Sequence, residues 1–259
     1  THSIHLSMKS LFRKIRQKLL AENRVGKYLS YALGEIILVV IGILIALQIN
    51  TWNQQRNQHN TMVQSLQSYM KDLTQDVRLL GVEIKSIEDD LNQQVNFIAR
   101  LSKPSATIDT LKHILRYEFL PFFSPVHELN RSTIISLLST GNLDYFEDEI
   151  SSKILKHNAY QLYFIKGMDL NVSIYLNSQN SREIMQFQAE SSLLNGAIIK
   201  GPLLEQYWNN KDSKQLLEST LSTISGKILM HRIILGTKKM VLNETEKLLE
   251  FLQDYEKSL

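Results

Sequence analysis

The chain contains one long apolar run, YLSYALGEIILVVIGILIALQI, from Tyr28 to Ile49, in which Glu35 is the only charged residue. A helix of this length spans about 33 Å, enough to cross a hydrocarbon core about 30 Å thick. The run is longer than the apolar core of a cleaved signal peptide, and no A-x-A cleavage pattern follows it. We therefore expect a transmembrane helix over residues 28–49 that is retained as a signal anchor.

Basic residues are concentrated before this run. Seven of them precede it: Lys9, Arg13, Lys14, Arg16, Lys18, Arg24 and Lys27. Glu22 is the only acid in that stretch, and the first bases after the run are Arg56 and Lys71. The positive-inside rule therefore predicts a cytoplasmic N-terminus and places residues 50–259 on the other side of the membrane.

The formal charge of +3 hides an uneven distribution. Residues 1–35 carry seven bases and two acids, a charge of +5, whereas the remainder carries 22 bases and 24 acids, a charge of −2. The basic end is expected to meet anionic lipid at the cytoplasmic face, and the remainder lacks the basic field that nucleic acid requires. The chain has no cysteine, which excludes disulfides, thiolate metal ligands and cysteine nucleophiles.

The pattern divides the chain into four segments. Residues 1–27 form a basic segment, and MKSLFRKIRQKLLA within it has the spacing of an amphipathic helix on the membrane surface; a disordered basic tail is the alternative. The transmembrane helix covers 28–49. Residues 50–101 form a stalk and the first long helix of a bundle, and residues 102–259 form the rest of that bundle, outside the cytoplasm.

One face of the transmembrane helix carries small residues. Its members recur every four residues: Ser30, Gly34, Leu38, Gly42 and Ala46. Such a face lets two helix backbones approach closely, although glycine and alanine are also common in membrane helices that make no such contact. Glu35 either faces protein or water within the bilayer, or reaches the cytoplasmic interface.

Two long helices are predicted beyond the membrane. Over residues 62–98 the apolar positions recur every 3.6 residues on average, with several pairs eleven apart, which predicts a straight or slightly right-handed stripe and not a heptad coil. A final helix from Ser213 has its apolar stripe at Leu217, Leu221, Ile224, Ile228, Leu235, Leu242, Leu249 and Leu252. Patterns typical of strands are missing, so the predicted fold is all-α, an elongated antiparallel helical bundle.

Shorter helices are predicted between the two long ones. Pro104 ends the first long helix, and Thr107 or Asp109 caps a short helix that ends near Phe119. Residues 131–140 form a helix that stops at Gly141, and the pair Asp144 and Glu147 has the spacing of a capping box for the next helix. That next helix is expected to reach about residue 170, or residue 190 if it continues.

The sequence offers no arrangement of residues typical of an active site. The seven histidines lack metal-binding spacing, and the nucleophile-elbow, dinucleotide and P-loop motifs are absent. The carboxylates of Asp89 and Asp90, and those of residues 147–149, are expected on a solvated helix face or in a first helical turn. We therefore expect a protein that is not an enzyme and has no catalytic residue, cofactor or metal.

Two segments resemble a known group of proteins. FRKIRQKLLAEN (12–23) followed by KYLSYALGEIILVVIGILIALQINTWN (27–53) is similar to the opening of an uncharacterised family of bacterial single-pass membrane proteins. STIISLLSTGNLDYF (132–146) resembles the LxSxGNL corner of that family. The resemblance implies a bacterial inner-membrane protein with a periplasmic helical domain, and it implies no catalytic residues.

Two classes of function are compatible with these features. The first is structural, a homo-oligomer or an accessory subunit of a larger membrane complex, held by the face over residues 34–46 and by the stalk. The second is a periplasmic sensory or binding module, which would act through a partner protein because only about 27 residues lie on the cytoplasmic side. A stable self-oligomer favours the first class, and a monomer with an apolar groove between its helices favours the second.

Overall fold

The computed structural model describes residues 25–120, 128–177 and 201–259, and these residues contain helices but no strand. The α-helices are α1 (Val25–Leu101), α2 (Ile108–His113), α3 (Ser132–Thr140), α4 (Asp148–Asn177), α5 (Pro202–Asn209) and α6 (Ser213–Ser258). A π-helical turn, Ile114–Glu118, follows α2, and a 3-10 turn, Asn142–Tyr145, lies between α3 and α4. The prediction of an all-helical chain is therefore confirmed for these residues.

Contacts divide the chain into two units, Thr1–Thr61 and Met62–Leu259. In the first unit, α1 carries the apolar run, and its side chains from Leu29 to Ile49 are almost all exposed. This stretch is long and apolar enough to cross a membrane, and none of it is buried. The predicted amphipathic segment over residues 8–21 lies outside the described residues.

The second unit buries three groups of apolar side chains. One joins Leu66 and Leu73 of α1 to α3, α4 and the end of α6. Another joins Phe97 of α1 to α2, the π turn, Trp208 of α5 and the start of α6. The third joins Leu80 to the middle of α4 and α6. The elongated antiparallel arrangement of this bundle and its location outside the cytoplasm stay predictions.

The apolar stripe predicted for α1 is largely buried. Its members Met62, Leu66, Tyr69, Leu73, Leu80 and Ile84 are buried, whereas Val95 is 45% exposed. The polar residues Asp76 and Gln94 are buried on the same helix, and Glu83 and Asp90 are half-buried. The apolar pattern alone does not predict these four polar inner positions.

The predicted stripe of α6 is confirmed at Ile224 and Leu252, and Ile228, Leu235, Leu242 and Leu249 are half-buried. The buried residues are Leu216, Ser219, Thr220, Thr223, Ile224, Lys227, His231, Ile234, Lys238, Val241, Thr245, Leu248 and Leu252. Leu217 and Leu221, which the apolar pattern placed inside, are exposed. Two lysines, Lys227 and Lys238, and His231 occupy inner positions that an apolar pattern does not predict.

The connections between helices confirm part of the sequence reading. Thr107 caps α2 through a reciprocal pair of hydrogen bonds with Thr110. Helix α3 ends at Gly141, whose φ of +72° is the left-handed conformation that glycine adopts without strain. The capping box is wrong, because Asp144 lies in the 3-10 turn and α4 starts only at Asp148. The 3-10 turn buries Leu143, and Phe146 directly after it is buried too.

Candidate functional site

Polar side chains occupy inner positions of the second unit at several levels. Asp76, Glu83 and Asp90 follow one another at intervals of seven residues on α1. On α6, Lys238 contacts Glu83, whereas Lys227 and His231 contact Asp90. These contacts lie inside the unit that the apolar side chains hold together, and we call them the polar seam.

The densest part of the seam surrounds Asp90. Lys227 Nζ lies 2.9 Å from Asp90 Oδ2 and also donates to the carbonyl oxygen of Leu120 at 2.6 Å. His231 Nε2 is 2.8 Å from the same carboxylate oxygen. The Nδ1 atom of His231 is 2.8 Å from the carbonyl oxygen of Lys227. Both ring nitrogens of His231 therefore lie within hydrogen-bond distance of an acceptor oxygen.

The surroundings of Asp90 determine its charge. Burial would raise the pKa of Asp90, but the hydrogen bond from His231 and the charge of Lys227 outweigh burial and lower it to about 2. Burial lowers the pKa of Lys227, and the Asp90 carboxylate opposes that effect. The expectation of a solvated face is therefore wrong for Asp90, whose side chain is only 24% exposed and contacts Lys227 and His231.

The next level pairs Lys238 with Glu83. The side chains are 1% and 11% exposed, so both charges are taken out of water together. The ammonium group of Lys238 also lies 5.1 Å from the centroid of the Phe164 ring on α4. A buried pair of this kind adds little net stability but disfavours other alignments of the two helices, since removing either partner leaves a charge in the interior.

Asp76 is fully buried and has no cationic hydrogen-bond partner among the described residues. Its Oδ1 atom accepts from the backbone N–H of Asn130 at 2.8 Å and from Nδ2 of Asn130 at 2.7 Å. Its Oδ2 atom accepts from Nε2 of Gln161 at 3.1 Å. The pKa of Asp76 is raised from 3.8 to about 6, because burial and the nearby Asp72 carboxylate outweigh the hydrogen bonds from Asn130 and Gln161, which lower it.

A chain of hydrogen bonds fixes the tautomer of His157. Thr245 donates its hydroxyl proton to the Val241 carbonyl at 2.7 Å, so its oxygen accepts from His157 Nε2 at 2.9 Å. His157 Nδ1 then accepts from the Tyr69 hydroxyl at 3.1 Å. Burial lowers the pKa of His157 to about 4, which keeps the ring neutral as this chain of bonds requires.

The described histidines lie in two kinds of environment. His157 and His231 are buried and hydrogen-bonded, as expected of core histidines, and His59 and His113 are exposed. Asp148 and Glu149 lie in the first turn of α4, as predicted. Within the described residues, no group of three or more histidines, aspartates or glutamates is arranged to hold a metal ion.

The predicted helix-packing face lies open on α1. Ser30, Gly34, Leu38, Gly42 and Ala46 are all exposed. A Cβ atom added at Gly34 or Gly42 would meet no atom within 4 Å, so the described residues of this chain make no use of the space. The Ser30 hydroxyl donates to the carbonyl of Gly26 at 3.0 Å within the helix. Glu35 is partly buried.

The predicted membrane-surface bases are mostly outside the described residues. Lys9, Arg13, Lys14, Arg16, Lys18 and Arg24 precede the first described residue, and Lys27 lies in the first turn of α1. Their placement against a lipid surface stays a prediction.

These features define a class of protein: over the described residues it is all-helical, with an exposed apolar helix long enough to cross a membrane and a helical unit with buried ion pairs. Residues 35–121 match a family model described as "Family of unknown function (DUF6090)". The match covers most of α1 and all of α2, whereas the resemblances noted over 12–23 and 132–146 lie outside it. No curated protein and no solved structure matches the chain.

Proposed function

We propose that this chain is a non-enzymatic, membrane-anchored protein that works as an oligomer or as an accessory subunit of a larger inner-membrane assembly. In this proposal residues 28–49 cross the membrane once, with the basic end in the cytoplasm. The remaining helices form an elongated antiparallel bundle in the periplasm. The pairing of Glu83 with Lys238, and of Asp90 with Lys227, supports the antiparallel arrangement, since the residue numbers run in opposite directions along α1 and α6.

The observation that carries the proposal is the open face of α1. Gly34 and Gly42 lie two helical turns apart with no atom within 4 Å of their Cβ positions. In a bilayer, association of helices depends on close packing, because lipid chains are as apolar as leucine side chains. Glycine at these positions allows another helix to approach, whereas a helix that only anchored the chain would need no small residues there.

A second function, that of a periplasmic binding module acting through a partner protein, is favoured by the outer side of α4. Three apolar side chains there are strongly exposed: Tyr163 by 67%, Leu170 by 61% and Ile174 by 54%. They follow one another at intervals of seven and four residues, which places them on one side of the helix, away from the buried Phe164 and Met168. An exposed apolar patch of this kind is typical of an interaction surface.

The test is the mass of the detergent-extracted protein, for the parent chain and for Gly42→Leu. The leucine side chain would occupy the space that a second helix needs, so we expect an assembly of higher mass for the parent and a loss of that assembly in the variant. Val40→Leu is the matched control, because residue 40 lies about 200° around the helix from residue 42. A monomer for both proteins would contradict assembly and favour the binding module.

A further inference from the structure

The part of α1 that directly follows the apolar run contains a regular row of asparagines. Asn50, Asn53, Asn57 and Asn60 are spaced three, four and three residues apart, and all four are exposed. At about 100° per residue they fall within roughly 80° of one another around the helix. We call this row the asparagine ladder, and it lies wholly within the first unit of the chain.

A helix with this composition has little reason to form in isolation. Asparagine and threonine are weaker helix formers than alanine or glutamine, and residues 50–61 contain six of them. No apolar face within this stretch packs on the described residues, since almost all of its side chains are exposed. Helices in proteins usually owe their stability to packing of one face, and the described residues of this chain provide no such surface for residues 50–61.

From this we infer that the asparagine ladder is the seam along which α1 of one copy of this chain pairs with α1 of a second copy. An asparagine side chain contains a donor and an acceptor, so it hydrogen-bonds with an identical residue related by a two-fold axis. Two copies anchored in one bilayer have the same orientation, so each asparagine meets its own counterpart. Asparagine at the inner positions of a coiled coil is also known to fix alignment and partner number.

The charge distribution agrees with pairing between identical chains. The ladder contains no charged residue. Arg56, the only lysine, arginine, aspartate or glutamate within residues 50–61, lies about 80° around the helix from the middle of the row. Identical chains that met through a charged row would repel, whereas neutral amides do not. The row also continues the side of α1 that carries Gly42 and Ala46, so a second helix would follow one continuous surface.

The test uses the absence of cysteine from the parent chain. Single cysteines are introduced at each position from 50 to 60 in the full-length protein, and disulfide-linked dimers are measured in native membranes after mild oxidation. We expect dimer yield to peak at positions 50, 53, 57 and 60, several-fold above the yield at Gln55, which lies on the opposite side of α1. Uniform yields, peaks on another side, or no dimer at any position would overturn the inference.

A charge substitution tests the amides themselves. With the reporter cysteine at position 53, Asn57→Asp places two carboxylates against each other and is expected to lower dimer yield several-fold at neutral pH. Gln55→Glu adds the same charge on the opposite side and is expected to leave the yield unchanged. Equal dimer yields for the two substitutions would show that the two α1 helices do not pair along the asparagine ladder.

The inference rests on the proposed oligomer, and the two can fail separately. If Gly42→Leu dissociates the assembly but dimer yield shows no periodic dependence on the position of the cysteine, the two α1 helices do not pair along the ladder and the proposed function stands. If periodic dimers persist in Gly42→Leu and the assembly keeps its mass, the ladder holds the copies together and the membrane face is not required.

Discussion

Replacing Asp76 with asparagine is expected to stabilise the protein above pH 6 and to remove one source of its pH dependence. The Asp76 carboxylate is fully buried and accepts three hydrogen bonds from Asn130 and Gln161. An amide keeps the acceptor that faces Asn130 and gains a donor toward Gln161. Gln161 can accept from that donor after its amide turns over, since its Oε1 atom takes no hydrogen bond in the described structure.

The magnitude follows from the pKa of Asp76, which burial raises from 3.8 to about 6. The folded state therefore binds this proton more tightly than the unfolded state. The contribution of Asp76 to stability is greatest below pH 4, declines between about pH 4 and 6, and is lost above pH 6. A difference of roughly two pKa units corresponds to about 3 kcal/mol, which is the gain expected for Asp76→Asn at pH 8 and which should vanish near pH 4.

The assay is thermal unfolding of the full-length chain in detergent, followed by far-UV circular dichroism between pH 4 and 8. The difference in unfolding free energy between variant and parent is compared at each pH, because His157 gives the parent and the variant the same additional pH dependence, opposite in sign to that of Asp76. The pKa of His157 is lowered to about 4, so the stability it contributes above its unfolded pKa is lost as pH falls. A variant that is less stable than the parent at pH 8, or a difference that does not change with pH, would refute the reasoning.

Asp72→Asn is the matched control for Asp76→Asn. Asp72 lies one helical turn earlier, and its Oδ2 atom accepts from the backbone N–H of Thr133 at 3.2 Å, in the first turn of α3. A carboxylate at the start of a helix interacts favourably with the helix dipole, so this substitution should lower stability by about 0.5–1 kcal/mol. Asp72→Asn also relieves the repulsion by which Asp72 raises the pKa of Asp76, so its loss of stability is expected at the lower end of this range, whereas Asp76→Asn is expected to stabilise the protein at pH 8.

Three further substitutions can be followed by the same unfolding assay. Gly141→Ala should cost about 1 kcal/mol, because the residue has φ +72°, and an unchanged midpoint would argue against the left-handed end of α3. Phe97→Ala should lower the free energy of unfolding by about 3–5 kcal/mol, since the side chain is buried against Phe119. A loss below 1 kcal/mol would show that Phe97 is not tightly packed in the core. Asp90→Ala should cost about 3–5 kcal/mol by leaving Lys227 and His231 without their carboxylate, and a stable variant would contradict the buried pairing.

The sequence predicted the helices more accurately than it predicted their inner faces. The end of α1 near Pro104, the Thr107 cap and the start of α6 at Ser213 all follow from local chemistry, which a single sequence contains. The inner face depends on partners distant in the chain. Lys238 is buried because Glu83 lies opposite, 155 residues away, and the apolar pattern around Lys238 does not reveal that partner.

The turn between α3 and α4 also depends on contacts that its local sequence does not reveal. The sequence predicts the end of α3 at Gly141 because glycine adopts a positive φ without strain. It does not predict the 3-10 turn that follows, because that turn depends on burial of Leu143 and Phe146 in the core. Spacing alone predicts the candidate face over Ser30–Ala46, whereas its openness among the described residues is a property of the three-dimensional structure.

The contacts of Asp90 also constrain how this protein can change over evolutionary time. Lys227 and His231 both contact the Asp90 carboxylate. A mutation at any one of the three positions therefore lowers the stability of the fold while the other two residues remain. Replacing all three by apolar residues of similar volume would be close to neutral, but every single-step route passes through a destabilised intermediate. Such epistasis makes the three positions one inherited unit, and natural variants that lack Asp90 are expected to have replaced its two partners as well.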